Sequence, residues 1–218
     1  MPSIKVTARL AGGLYLATLP FGFFGLLYVN SDRVLGLATA GNLEAAVHLL
    51  RLGVASDVIG QVLFIGVPLL LYQVFAPASR RAAVLMVVFL LLSIPMELLS
   101  EVGRLEAVRA LTATTPGASA QFFLDLYQDG IFVTSVFWGL WLLPLGWLAY
   151  RSRFVPRLVG IVVFISGVSY LADIFVHLLF PGRSLPFVEI LRAGELLLPL
   201  WLAIMGVSVA QWETGARG

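Results

Sequence analysis

The residues in this chain that could do chemistry are mostly carboxylates, and they lie in apolar surroundings. The stretch LDLYQDGIFV, residues 124–133, sets Asp125, Gln128 and Asp129 ahead of an apolar run of about twenty residues. Glu97, Glu101 and Arg104 follow an i, i+4, i+7 pattern, Asp57 and Gln61 are four apart, and so are Asp173 and His177. Residues three or four apart are neighbours on a helix, so each set marks one face. Paired carboxyl groups suit general acid–base chemistry, in which one acid donates a proton while an ionised neighbour accepts one or stabilises a cation. The same groups suit counter-charges for a bound cation.

Other chemistries find less support. Asp173-x3-His177 has the one-face geometry of helical metal ligands, but the chain has two histidines and no HExxH. The zinc signal is therefore weak, and oxygen-rich calcium or magnesium sites would need flexible or hydrated geometry. No cofactor is identified, and a divalent metal stays a minor option. Ser56-Asp57 lacks the GxSxG elbow of a serine nucleophile, and cysteine is absent, which removes thiolates and disulfides together. His48 lies in an amphipathic stretch and reads as interfacial. No basic stripe with interleaved aromatics exists, so nucleic acid is not an expected partner.

The elements that must position these groups are membrane spans. Of 218 residues, 60% are hydrophobic and 12% charged, with net charge +2, pI near 9.2 and mean hydropathy +0.97. Soluble domains carry about 25% charged residues, so the composition is that of a polytopic membrane protein. Six stretches can cross a hydrocarbon core of ~30 Å: 8–29, 54–76, 82–104, 121–149, 156–180 and 187–210. The first is too long for a signal-peptide core and is read as a retained span. GNLEAAVHLLRLG, residues 41–53, reads as an interfacial amphipathic helix or an early extension of the second span. PGASAQ, residues 116–121, is loop-like. Five spans contain a proline (Pro20, Pro68, Pro95, Pro144 and Pro199), and each frees a carbonyl one turn earlier.

Lys5 and Arg9, Arg80 and Arg81, and Arg151, Arg153 and Arg157 all fall on one side of a six-span topology, assigned to the cytoplasm with both termini. On that map eight of the twelve acids lie in the outer halves of five helices. Glu97, Asp129, Asp173 and Glu195 sit seven or eight residues from an outer end, roughly 10–12 Å deep. Asp57, Glu101, Asp125 and Glu189 form a shallower ring, which headgroup-level polarity and Arg–Glu pairing would also explain. Charge facing lipid is costly, so these faces are expected to line an outer cavity. Arg51, Arg104 and Arg192 are the nearby cations, and Tyr170, Ser166 and Ser169 extend the polar stripe of the fifth span.

TARLAGGLYL, RLGVASDVIG, VFWGLWLLPLGWLAYRSRFVPRLVGIVVFISGVSYLAD and GELLLPLWLAIMG resemble a widespread bacterial family of small multi-helix membrane proteins. That family is catalogued as domain of unknown function number forty-three eighty-six. The resemblance covers nearly the whole chain, and the hairpin of spans four and five is its most specific part. It implies the multi-helix architecture and polar residues at Arg51, Asp57, Asp173 and Glu195, but no established activity. The family's fourth span often carries a histidine-containing stretch before its aromatic run; LYQDGIFV has none, which argues further against a histidine-based metal site.

The sequence therefore predicts an all-α, polytopic membrane protein. It is one domain over 1–218, a bundle of six transmembrane helices with a short amphipathic helix between the first two. The expected location is the bacterial inner membrane, among lipids, with an outward-facing polar cavity for a small-molecule or lipid-like ligand. The leading functional expectation is a membrane-embedded enzyme acting on a lipid-like or small amphipathic substrate. Glu97, Asp129, Asp173, Glu195 and His177 would be its catalytic groups. Arg51, Asp57, Glu101, Arg104, Asp125, Gln128, Tyr170 and Arg192 would bind the ligand. A transporter or binding protein for a cation or protonated amine is the alternative, and a non-catalytic scaffold the third reading.

Overall fold

The computed structural model describes residues 3–113, 119–180, 183 and 187–216, and among these it contains helices and no strand. The helices are α1 (Ile4–Gly22, continued by a π-helical stretch Phe23–Tyr28), α2 (Ser31–Thr39), α3 (Leu43–Phe64), α4 (Gly66–Phe75), α5 (Arg80–Thr112) and α6 (Ala120–Ser152). They are followed by α7 (Arg157–Leu179), α8 (Val188–Ala193, passing through a 3-10 turn at Gly194–Leu196), α9 (Leu197–Ile204) and α10 (Val209–Ala216). Helix is what so apolar a chain requires, because it satisfies every backbone group within the segment. Five helical stretches are long and apolar enough to cross a membrane: Ile4–Tyr28, Leu43–Phe75, Arg80–Thr112, Ala120–Ser152 and Arg157–Leu179, with mean hydropathy between 1.6 and 2.5. The protein is thus a polytopic helical membrane protein.

Two expectations are refined. Residues 43–53 are not a separate interfacial helix; they begin α3, so the second span starts about ten residues early. The short amphipathic helix between the first two spans is instead α2, opened by the Asn30 side chain, which accepts a hydrogen bond from the Arg33 amide at 2.9 Å. The segment expected as the sixth span is helical from 188 to 204 but interrupted at Gly194–Leu196. Pro199 explains the break: its missing N–H leaves the Glu195 carbonyl without the usual donor. Pro20 and Pro68 also stand beside departures from α geometry, the π stretch at 23–28 and the break at Ile65. Pro95 and Pro144 lie inside unbroken helices. Residues 114–118, including the first half of the expected PGASAQ loop, lie outside the described residues.

The chain forms two compact units, and α1, α3, α5 and α6 contribute residues to both. The first comprises residues up to 17, 64–93 and 135 onward. Its most intimate packing joins α6 to α7 through glycines. A Cβ on Gly146 would lie 2.8 Å from the Gly160 carbonyl oxygen, and one on Gly160 would lie 2.7 Å from that of Gly146. Seven residues along, Gly139 and Gly167 repeat the relation at 3.0 and 2.9 Å. Lipid offers no hydrophobic drive for helices to associate, so close backbone approach through small residues supplies the van der Waals contact that holds them. Tyr15, Phe64 and Trp141 form an aromatic core with centroids 5.3 to 6.2 Å apart. The Trp212 indole N–H ties α10 to the Val74 carbonyl at 2.8 Å.

The second unit comprises residues 18–63 and 94–134. Its apolar core joins Val29, Val34, Val47, Leu50, Ala107 and Leu124. Gly103 lets α5 meet α6 closely, since a Cβ there would lie 2.7 Å from the Phe123 carbonyl oxygen.

Candidate functional site

In the second unit the polar face of α5 is organised around Arg104. Its guanidinium Nη1 donates to Asp57 Oδ2 at 2.7 Å and to Glu101 Oε1 at 3.4 Å. Nη2 donates to the carbonyls of Gly25 at 2.5 Å and Val29 at 3.1 Å. The Tyr127 ring covers the guanidinium at 3.8 Å. Arg104 is 1% exposed, Asp57 3% and Glu101 3%. The planar guanidinium thus links α1, α3, α5 and α6, and it satisfies carbonyls left open where the π-helical stretch ends. Gly25 has no alternative here, because a Cβ would collide with the Asp57 carboxylate. Glu97, one turn before Glu101, is equally buried. Glu101 Oε2 and the Tyr127 hydroxyl make no hydrogen bond. This centre is sealed and built as a lock: taking one partner from a buried ion pair strands the other charge.

The first unit holds a more open cluster. Arg192 on α8 donates through Nη2 to Asp173 Oδ2 of α7 at 2.5 Å and through Nη1 to Glu189 Oε1 at 2.9 Å. Its guanidinium lies 4.6 Å from the centre of the Tyr170 ring. The Tyr170 hydroxyl donates to Glu195 Oε1 at 3.3 Å, and the Trp138 ring meets Tyr170 edge-on at 6.3 Å. The Arg192 and Asp173 side chains are 20% and 26% exposed, so solvent or a ligand head can reach them. Arg192 Nε is buried and makes no hydrogen bond.

Local sequence explains the alignment. The Ser166 hydroxyl donates to the Leu191 carbonyl at 2.6 Å, pinning α8 against α7. A Cβ on Gly194 would lie 2.7 Å from Val162 and 2.8 Å from Ser166 Oγ, so glycine is what permits the approach. The 3-10 turn then carries Glu195 under Tyr170. A carboxylate beside a phenol hydroxyl and a guanidinium–carboxylate pair can accept or return a proton and can hold a charged head group.

The remaining candidates are distributed as follows. Asp173, Glu195, Tyr170 and Arg192 meet in the first unit, while Asp57, Glu97, Glu101 and Arg104 meet in the second. Asp125 and Asp129 are exposed on α6, whose buried face carries Leu124 and Tyr127 instead. Gln121 donates to Asp125 at 2.6 Å, and Gln128 donates to Ser31 Oγ at 2.7 Å, joining α6 to α2. Arg51 and His177 are exposed. Among the described residues no three His, Cys, Asp or Glu side chains converge as a metal-binding group. Sequence reasoning passed over Tyr127, Gly25 and Trp138, while Ser166 had been read only as part of the polar stripe of the fifth span. Tyr127 alone gave a signal, standing three residues after Leu124 on the side of α6 opposite its acids.

Five membrane-length helices, one sealed ionic centre and one open one define a polytopic helical membrane protein. Within that class, the chain belongs to the family described as Domain of unknown function (DUF4386), whose model matches residues 10–206. It is similar to an uncharacterized protein of Archaeoglobus fulgidus, 30% identical over 76 residues, which is 35% of this chain. The match spans 46% of that relative's own length, about half. No solved structure matches the chain.

Proposed function

We propose that the protein resides in the inner membrane, binds a small amphipathic or lipid-like ligand at the Asp173–Arg192–Tyr170–Glu195 cluster, and acts on it by carboxylate acid–base chemistry. On this reading residues 188–204 form a sixth span and both termini are cytoplasmic, as the basic residues of the short loops favour. The observation that carries it is the contrast between two ionic centres. Arg104 is closed on every side by protein, whereas Arg192 and Asp173 are half-open beside a carboxylate that already accepts from a hydroxyl. Ionisable groups at membrane depth are costly and are kept for use, and the open set is the one a ligand can reach. Glu195 would take or return the ligand's proton. Tyr170 would orient the carboxylate, and Arg192 with Asp173 would fix the head group.

The test is mass spectrometry of the lipid-like molecules that co-purify with the wild type and with Glu195→Gln, before and after incubation with a membrane lipid extract. The reading expects a species enriched on the wild type and depleted on the variant, with new product formed only by the wild type. Identical profiles would remove the site. Enrichment without product would favour a binding protein or transporter over an enzyme.

A further inference from the structure

Resting on that site, we propose that the ligand's polar head is a primary ammonium group, held between Glu195 and the Tyr170–Trp138 aromatic pair. Asp173, Glu189 and Glu195 surround one guanidinium, Arg192, and two formal negative charges are left over. His177, one turn beyond Asp173 on α7, is exposed. An anionic head would have to share Arg192 with Asp173 and Glu189, which already accept from both of its terminal nitrogens. A cationic head meets no such competitor.

Glu195 Oε1 accepts from Tyr170 at 3.3 Å, a long contact that leaves most of the carboxylate's accepting capacity unused. A primary ammonium brings three N–H donors, which a quaternary ammonium lacks, and a charge-assisted bond to a partly buried carboxylate is stronger than a neutral one. The Tyr170 ring already bears one cation at 4.6 Å, with Trp138 edge-on at 6.3 Å, so aromatic faces stand where a second cation would gain from them. Arg192 Nε, buried and without a partner, supplies a donor for an oxygen next to the amine. The ammonium can belong to an ethanolamine phospholipid or to a free amphipathic amine.

The experiment measures binding of octylammonium and octyl sulfate to the full chain in phosphatidylcholine nanodiscs, followed by tryptophan fluorescence, with empty nanodiscs as background. Octylammonium should bind at least tenfold more tightly than octyl sulfate. Glu195→Gln and Tyr170→Phe should each weaken it several-fold, and Glu106→Gln, a charge change away from the site, should not. Tyr170→Phe keeps the test open if Glu195→Gln unfolds. Equal or tighter binding of the sulfate, still lost in the variants, overturns the amine and keeps the site. Binding of both probes that ignores the two variants overturns the site itself. Replacing phosphatidylcholine with phosphatidylethanolamine separates the sources. A tenfold rise in the apparent octylammonium Kd assigns the lipid head group, and an unchanged value assigns a free amine.

Discussion

Arg104 is the residue on which the second unit turns. It has two carboxylates, two backbone carbonyls and an aromatic face around one guanidinium, at 1% exposure. Removing either member of such a pair leaves an uncompensated buried charge or orphaned carbonyls, at a cost of about 3–5 kcal/mol. Asp57→Asn and Arg104→Lys should therefore each lower stability by that order in a reversible detergent-unfolding titration; a change below about 1 kcal/mol would show the lock to be weak. Gly25→Ala should act in the same direction, because its methyl group claims the space of the Asp57 carboxylate. At this scale the sequence was informative about α5: the i, i+4, i+7 spacing of Glu97, Glu101 and Arg104 placed them on one face. It could not show that Asp57, forty-seven positions earlier, and the carbonyls of Gly25 and Val29 would close on the same guanidinium. Backbone acceptors leave no mark in a residue pattern.

Asp129 shows how helix length decides a residue's setting. A 33-residue α6 is about 50 Å long, well over the ~30 Å of hydrocarbon. Its first turns can therefore extend beyond the lipid core, and Asp125 and Asp129 face outward while Leu124 and Tyr127 face in. Counted eight residues in from the start of a 121–149 span, Asp129 falls with the deep acids, and its exposed position on α6 sets it apart from the buried Glu97. The glycines of the α6–α7 hairpin give the element scale its own prediction. Gly160→Ala should destabilise by about 1–3 kcal/mol, since its methyl group meets the α6 backbone. Gly13→Ala, with open space around its Cβ position, should instead stabilise by about 0.5–1 kcal/mol through helix propensity. Thermal unfolding of the two variants in one detergent checks both signs. The spacing Gly139-x6-Gly146 and Gly160-x6-Gly167 was present in the sequence, but antiparallel registration had to be seen to pair them.

For the whole molecule, composition alone was enough to indicate a helical membrane protein, because 60% hydrophobic and 12% charged residues leave no other economical fold. The count of spans was harder to read, since Pro199 and the 3-10 turn break the last segment in a way that hydropathy averages away. The same break carries Glu195 to Tyr170, so the feature that obscures the span also builds the site. The proposed topology has a direct check. The chain contains no cysteine, so Arg153→Cys is a unique label, and it should react with a membrane-impermeant maleimide only after the inner membrane is opened. Labelling in intact spheroplasts would reverse the assignment of sides.

The most direct measurement of the central claim is a density map of the protein in lipid nanodiscs, compared between the wild type and Glu195→Gln. The account predicts elongated non-protein density in the wild type, its head against Glu195 and Tyr170 and its tail along the helices, and the loss of that density in the variant. A wild-type map with Glu195, Tyr170, Asp173 and Arg192 in contact with protein alone would contradict it.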